Sequence, residues 1–201
     1  MNKTQELEKL REEMFNDKSL PLRKGATNLV FGDGNPEAKI LCVGEGPGYW
    51  ENEKGLPFVG NAGKLLDQLL QSINLSREKS VYITNVVHHR PPENRDPLPE
   101  EIEAYRPHLD KIIEIIKPKM IVTLGRFSMG KFLPAAKITS VHGKTHIVNW
   151  KGREIVVIPM YHPAAALRST EIMRQIQKDF QKLPVILEEV NKPEINQMKL
   201  I

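Results

Sequence analysis

The residues best suited to chemistry begin in a glycine-rich segment, 44–60, which follows the apolar run 38–43. Within this segment, the side chains best suited to chemistry are the carboxylates Glu45 and Glu51 and the aromatic ring of Phe58. Glycines let backbone amides approach a ligand closely, because no Cβ intervenes. The spacing lacks the last glycine of a dinucleotide-binding fingerprint and the Gly-Lys-Ser/Thr of a phosphate-binding loop. The segment therefore predicts a ligand-binding loop of another kind.

The side chains of this loop each allow two interpretations. Phe58 lies between Pro57 and Val59, where an aromatic ring can stack on a planar ligand or simply plug the base of the loop. Glu45 and Glu51 can orient a water molecule or crowd a bound ring, but a single glutamate in a loop is more often a solvated charge.

Two further candidates follow later strands. Asn85 comes directly after the β-rich run 81–84, and its carboxamide offers one acceptor and two donors, enough to read the edge of a pyrimidine. A turn-forming asparagine is the alternative. His162 precedes Pro163 in a predicted loop rather than on a helix face, which favours a catalytic role over that of a core histidine.

An alternating pattern of strands and helices must position these candidates. Alternation of this kind predicts an α/β fold with a largely parallel sheet covered on both faces, and the loops after its strands converge on one edge. The predicted strands are 38–43, 81–84, 120–124 and the hairpin arms 145–148 and 155–158; the predicted helices are 4–15, one capped by Asn61, 100–116, a short one ending at Phe132, and 170–190. The loops around Phe58, Asn85 and His162 should therefore meet.

Length and composition limit the class of protein. With 201 residues, 40% of them hydrophobic, we expect one domain over 1–201, with an N-terminal helix in 1–20 and a loose tail at 191–201. No apolar run approaches the ~20 residues of a membrane span, and the charged N-terminus is unlike a signal peptide, so we expect a cytoplasmic monomer without membrane contact. A net charge of +4 is compatible with a polyanionic partner but does not identify one.

Metal and disulfide chemistry find little support in the sequence. His88, His89 and His108 form neither an i, i+4 pair nor a Cys/His framework, so no metal site is predicted. The single cysteine, Cys42, lies in a predicted strand and excludes an intrachain disulfide.

Taken in order, these motifs closely resemble the family-4 uracil-DNA glycosylases of the uracil-DNA glycosylase superfamily, over residues 20–183. The resemblance is carried by 44–48 with 55–63, by 84–87 with 90–95, and by 162–163 with 167–168. It implies a three-layer α/β/α sandwich with a central four-stranded, mostly parallel sheet. It also implies hydrolysis of the N-glycosidic bond of uracil in DNA, which leaves an abasic site in base excision repair.

The resemblance implies a role for each matching residue that touches the base. Phe58 would stack on the flipped uracil, and Asn85 would hydrogen-bond its pairing edge. Glu51 would occupy the space beside C5, where thymine carries a methyl group. His162 would donate to uracil O2 as the base departs as an anion.

The group that activates water stays open. Gly46 stands at the catalytic and uracil-binding position where other branches of the superfamily place a side chain. Glu45, Glu51 and Asn94 are the candidates, and the base can also depart with so little nucleophilic help that no strong general base is needed.

Uracil-containing DNA is the implied partner. Leu167 would wedge into the stack left by the flipped nucleotide, and Arg168 would hold a neighbouring phosphate. A glycosylase of the same superfamily with another preferred deaminated base is one alternative function. A non-catalytic DNA-binding module on the same fold is another.

One departure from the family pattern concerns its cofactor. Family-4 enzymes usually hold a [4Fe-4S] cluster with four cysteines, and the matching positions here are Asp17, Leu20, His89 and Tyr105. Four-cysteine ligation is therefore impossible within this chain. We expect a protein without the cluster and without any other cofactor, in which the N-terminal segment meets residues 88–105 through ordinary packing.

Overall fold

The computed structural model describes residues 1–192, so the predicted loose tail lies outside the described residues from position 193 onward. The strands are β1 Asp33–Gly34, β2 Ile40–Gly44, β3 Val81–Asn85, β4 Met120–Leu124, β5 His146–Trp150 and β6 Arg153–Met160. The helices are α1 Lys3–Asn16, α2 Tyr49–Lys54, α3 Asn61–Gln71, α4 Arg77–Ser80, α5 Pro99–Ile116, α6 Arg126–Phe132, α7 Ile138–Val141, α8 Pro163–Ala166, α9 Thr170–Phe180 and α10 Leu183–Asn191. Among these described residues, no helix is both long and apolar enough to cross a membrane.

The strands form one sheet in the order β1-β3-β2-β4-β6-β5. The four central strands are parallel, as predicted, but an antiparallel strand pairs along each edge, so the sheet has six strands rather than four. One addition, β5, is the first arm of the predicted hairpin. The other, β1, is a two-residue Asp-Gly pairing that apolar periodicity cannot detect, because neither residue is a β-former.

Alternating side chains of the buried strands form a core on each face of the sheet. In β2, Leu41 and Val43 face one cluster, and Ile40 and Cys42 face the other. The first cluster takes in residues of α1, α5 and α6, and the second takes in residues of α3, α9 and α10. The fold is therefore the predicted three-layer α/β/α sandwich, with each layer of helices burying an apolar face on the sheet.

Two predicted helix boundaries are wrong. The helix predicted over 170–190 is two helices, α9 and α10, because Pro184 has no backbone N–H and fits only the first turn of a new helix. The cap of α3 is Gly60 rather than Asn61, which is the first helical residue. No side chain of the described residues caps α3, but the N–H of Gly60 itself donates to the Glu51 carboxylate.

The register of the sheet brings the carboxyl ends of its central strands together. Gly44 at the end of β2 is directly opposite Asn85 at the end of β3. On the other side, the Gly125 N–H donates to the Met160 carbonyl at the end of β6, at 2.9 Å. The three loops that carry the candidate residues thus leave the sheet at one edge.

Candidate active site

A cavity of about 310 Å³ lies at this edge of the sheet. Its lining includes every residue for which the sequence predicts a role in binding uracil or in catalysis: Glu45, Gly46, Glu51, Phe58, Asn85, Asn94 and His162. It also includes Arg168, one of the two residues predicted to contact DNA. Leu167 is not part of the lining. Its side chain is 49% exposed, directly after α8.

The Asn85 carboxamide is buried at the floor of this cavity. The residue is 1% exposed, and its Oδ1 has no hydrogen-bond partner among residues 1–192. Gly44 makes this placement possible, because an added Cβ there would lie 2.6 Å from the Phe58 ring and still closer to Oδ1. A buried polar atom without a partner is rare in folded proteins and destabilising unless a ligand satisfies it.

Phe58 and His162 form the aromatic wall of the cavity. Their ring centroids lie 5.6 Å apart with planes inclined by 28°, a stacked arrangement. Phe58 is 6% exposed, so its ring packs into the base of the loop and lines the cavity at the same time. The two interpretations of this residue are therefore compatible.

His162 is held in one protonation state and one tautomer. Burial lowers the pKa of its imidazole to about 4, although the Glu51 carboxylate opposes this effect. The Ala164 N–H donates to Nδ1 at 3.1 Å, so the proton of the neutral ring resides on Nε2. His162 is thus a neutral hydrogen-bond donor at pH 7.

Residues Tyr49–Lys54 of the predicted loop form the short helix α2, and Glu51 in this helix connects the two ends of the glycine-rich segment. Its Oε1 accepts hydrogen bonds from the Val59 and Gly60 N–H groups at 2.8 and 2.9 Å, and its Oε2 accepts from the Gly48 N–H at 3.2 Å. Because both oxygens are engaged by backbone amides, this carboxylate fixes the shape of the loop and is poorly placed to take a proton from water.

Glu45 has the environment of a general base. Burial raises the pKa of its carboxyl to about 7, Asp96 adds to this rise, and Arg126 opposes it. Its side chain makes no hydrogen bond within the part of the chain that the structure describes. The third candidate, Asn94, is exposed and accepts a hydrogen bond from Arg90 Nε at 2.7 Å.

Two positions that sequence reasoning missed hold Phe58 in place. Arg77 donates to the carbonyls of Pro57 and Phe58 at 2.7 and 2.8 Å, and its side chain is only 14% exposed. Gly63 leaves space for the Phe58 backbone, because an added Cβ would lie 2.9 Å from the Phe58 Cα and overlap its carbonyl. This support lets Phe58 adopt a φ of 53°, which is strained for a residue with a side chain. Arg77 lies outside the motifs, and Gly63 ends the motif 55–63, which by itself does not indicate a contact with Phe58.

The positions that match the family's cluster ligands do not form an iron–sulfur site. None of them is a cysteine, and the one cysteine of the chain, Cys42, is buried in β2. His89 Nδ1 and the Tyr105 hydroxyl are joined by a 2.7 Å hydrogen bond instead, and Leu20 is buried in the same hydrophobic cluster as Tyr105. Nor do the described residues contain a group of three His, Cys, Asp or Glu side chains arranged to hold a metal ion. The residues present therefore do not fit the cluster.

Comparison with known proteins agrees with this geometry. The model of the uracil DNA glycosylase superfamily matches residues 31–184. The chain is similar to the type-4 uracil-DNA glycosylase of Sulfurisphaera tokodaii, with 47% identity over 88% of this chain and 83% of the relative. Similar matches are found to the type-4 uracil-DNA glycosylases of Archaeoglobus fulgidus, 44% identical over 88% of this chain and 91% of the relative, and Thermotoga maritima, 43% identical over 81% and 84%. The chain therefore belongs to the uracil DNA glycosylase superfamily and, within it, groups with the type-4 uracil-DNA glycosylases.

Proposed function

We propose that the protein is a uracil-DNA glycosylase, which extrudes uracil from DNA and hydrolyses its N-glycosidic bond. The observation that carries this proposal is the unpaired Asn85 carboxamide at the floor of a cavity whose wall is the stacked pair Phe58 and His162. A planar base that offers complementary hydrogen-bonding groups would satisfy the carboxamide and contact the rings at the same time.

Asn85 selects the base. Its Oδ1 accepts from uracil N3–H, and its Nδ2 donates to uracil O4. Cytosine presents an acceptor at N3 and a donor at the exocyclic amine, which is the opposite pattern. The carboxamide lies close to Gly44, which leaves room for its Oδ1, and we propose that the orientation that accepts from N3–H and donates to O4 is the one the site uses. Discrimination of this kind is strong, since a mismatched partner leaves buried polar groups unpaired.

His162 stabilises the departing base. As the bond between the sugar C1′ and uracil N1 breaks, both bonding electrons pass to the base, and the negative charge spreads onto O2. A neutral imidazole with its proton on Nε2 donates a hydrogen bond to that oxygen. One such donor contributes about 3 kcal/mol to a transition state, or roughly a hundredfold in rate.

Glu45 accepts the proton of the attacking water. The water oxygen forms the new bond at C1′ while the Glu45 carboxylate removes a proton from it. A base whose pKa lies near the working pH is well suited to this transfer. Asn94 and Gly46 also line the cavity, and we propose that the Asn94 side chain and the Gly46 backbone hold the water.

Glu51 excludes thymine by fixing the loop. Its bonds to the amides of Gly48, Val59 and Gly60 hold the cavity wall at a set distance from the base. A C5 methyl group would then clash with a wall that cannot move away.

Two exposed residues beside the cavity would contact the DNA. Leu167 is exposed enough to fill the gap that the flipped nucleotide leaves in the base stack, and Arg168 is exposed enough to contact a phosphate.

We also propose that the enzyme works without an iron–sulfur cluster and as a monomer. The single cysteine and the hydrogen bond between His89 and Tyr105 support the first statement. The proposal of a monomer is supported by the cavity, because all of the lining side chains named above come from one chain.

An oligonucleotide assay tests the function. A labelled strand with a single uracil is incubated with the protein and cleaved with alkali, alongside strands with thymine, cytosine or hypoxanthine. We expect cleavage at uracil and at least about a hundredfold loss of rate for His162→Ala, whereas His146→Ala, on edge strand β5 and outside the cavity lining, should retain the rate. Preferential cleavage at hypoxanthine would instead identify a glycosylase for another deaminated base, and binding without cleavage of any strand would indicate a non-catalytic module.

A further inference from the structure

Two adjacent aromatic side chains of α2 are exposed beside the cavity. Tyr49 is 49% exposed and Trp50 is 57% exposed. Their rings meet edge to face, with centroids 5.1 Å apart and planes at 81°. Large exposed aromatics are unusual on a soluble surface, and clustered ones mark contact sites.

An arginine from a different loop lies over this pair. The Arg90 guanidinium carbon is 5.3 Å from the centroid of the Tyr49 ring, and Arg90 Nε donates to Asn94 Oδ1 at 2.7 Å. Trp50 lies beside Gly60, since its Cδ1 would be 3.5 Å from a Cβ added there. The three side chains, which we call the aromatic platform (Tyr49, Trp50 and Arg90), therefore form one contiguous surface that carries positive charge.

The platform is continuous with the cavity. Gly48 and Pro91, the chain neighbours of Tyr49 and Arg90, line the cavity, and so does Asn94. Arg168 also lines it, next to the exposed Leu167. A nucleic acid strand that delivers a base into the cavity would contact both sites.

We propose that the aromatic platform stacks on a base next to the extruded uracil in single-stranded DNA. The inference rests on the function proposed above and names the form of substrate that the same site prefers. Aromatic rings and arginine are the groups that bind single-stranded DNA by stacking, because every base has a π-face. In a duplex the neighbouring bases stay paired and stacked on one another, so the platform gains little there.

A substrate without neighbouring bases separates stacking from other roles. The double variant Tyr49→Ala/Trp50→Ala is compared with the parent on single-stranded oligonucleotides with one uracil, flanked either by normal nucleotides or by tetrahydrofuran abasic analogues, which alkali does not cleave. We expect kcat/KM to fall by about 5- to 150-fold with normal flanks, the range for the loss of stacking on one base. With abasic flanks, or in a duplex, the loss should shrink to less than about 3-fold, below the lower bound for one stacked base. An equal loss on all three substrates would overturn the proposal, since it would indicate damage to the cavity. No loss on any would overturn it too.

Phe15→Ala is the matched control. Phe15 is 59% exposed and has Arg23 over its ring, like Tyr49 beneath Arg90, but it lies near the end of α1 and outside the cavity lining. This variant should retain kcat/KM on every substrate. Because the replaced side chains of the double variant are exposed, its circular dichroism spectrum should match that of the parent.

Fluorescence provides a readout that does not need catalysis. The chain has two tryptophans, so a Trp150→Phe protein reports on Trp50 alone. Titration with a single-stranded oligonucleotide that contains thymine in place of uracil should quench this signal, and an unchanged spectrum would contradict stacking. If the parent releases no uracil but the signal is quenched, the proposed function fails while the platform stands.

Discussion

At the scale of single residues, the site holds groups that are unfavourable for stability in the free protein. The Asn85 oxygen is buried without a partner, and Phe58 keeps a φ of 53°. The Glu45 carboxyl is buried enough to raise its pKa to about 7. Each feature costs free energy of folding, and each suits the cavity to bind a base and to activate a water molecule.

Replacing Asn85 separates function from stability. In Asn85→Leu, a side chain of similar shape removes the unpaired oxygen, whose burial costs about 1–3 kcal/mol. We expect the free energy of unfolding, measured in urea, to stay level or rise. The value of kcat/KM on uracil should fall at least about a hundredfold, because both hydrogen bonds to the base are lost.

Asn52→Leu is the control for this substitution. Asn52 is 4% exposed, but its carboxamide accepts from the Thr27 N–H at 2.9 Å and donates to the Thr27 hydroxyl at 2.8 Å. Losing these partners should lower the free energy of unfolding by about 1–3 kcal/mol. A similar destabilisation in Asn85→Leu would show that the Asn85 carboxamide is satisfied within the protein.

The raised pKa of Glu45 predicts two pH effects. If its carboxylate removes the proton from water, kcat should rise with pH through about 7. His162, with its pKa lowered to about 4, should stay neutral across that range and add no second limb. The Glu45→Gln variant should be slower and lose the dependence near pH 7, measured as single-turnover rates on a uracil oligonucleotide. If the rate of Glu45→Gln still rose with pH near 7, as in the parent, the titrating group would be a residue other than Glu45.

Stability gives an independent check on Glu45. Its ordinary pKa of 4.5 applies to the unfolded chain, so between pH 4.5 and about 7 the folded protein binds a proton that the unfolded chain has released. Stability then falls as pH rises through this window. Glu45→Gln removes that loss, so its gain in melting temperature over the parent should be larger at about pH 8 than at about pH 5. An equal difference at both would contradict the raised pKa.

At the scale of elements, the glycine-rich loop depends on how closely it packs against α3. The Phe58 carbonyl lies where Gly63 would carry a Cβ. In Gly63→Ala, either the loop or the helix must move, and overpacking of this kind costs about 1–3 kcal/mol or more. We expect a matching loss in urea unfolding and a raised KM for uracil DNA, because the ring of Phe58 is displaced.

Gly130→Ala makes the same chemical change where space is open. Gly130 lies inside α6, and an added Cβ there would have no neighbour within 4 Å among the residues described. Alanine should therefore stabilise this helix by about 0.5–1 kcal/mol. If Gly63→Ala and Gly130→Ala changed the free energy of unfolding in the same direction, overpacking against Phe58 would not explain the effect of Gly63→Ala.

The elements also show what sequence could and could not predict. The parallel strands and the loop residues Glu45, Asn85 and His162 were predictable, since buried strands are apolar runs and their loops meet at the carboxyl edge. The role of Arg77 was not, because its bond to the Phe58 carbonyl joins residues 19 positions apart. The two-residue β1 escaped for a related reason, because it depends on pairing with the distant strand β3. The break before α10 does have a local signal, Pro184, so the sequence alone could have indicated it.

At the scale of the whole molecule, polar side chains occupy the region where the family's cluster would lie. His89 and Tyr105 connect the loop after β3 to α5, and α5 packs against α1. Burial lowers the pKa of His89 to about 4 and raises the pKa of the Tyr105 hydroxyl, so both groups are neutral at pH 7. The hydrogen bond between these neutral groups does not depend on charge. It connects the loop after β3 to α5, which the resemblance to the family implies would otherwise be joined through cysteine thiolates and iron.

If this hydrogen bond replaces the cluster, the protein should be stable without iron. We expect elemental analysis to find no stoichiometric iron, and a chelator to leave the melting temperature unchanged. Tyr105→Phe should lower the free energy of unfolding by about 1–3 kcal/mol, because it leaves the buried His89 Nδ1 without its partner. Tyr49→Phe, which removes a hydroxyl from an exposed ring, should cost almost nothing. Broad visible absorption together with bound iron would show that a cluster is held by some other set of ligands, and an unaltered Tyr105→Phe protein would show that apolar packing alone joins these segments.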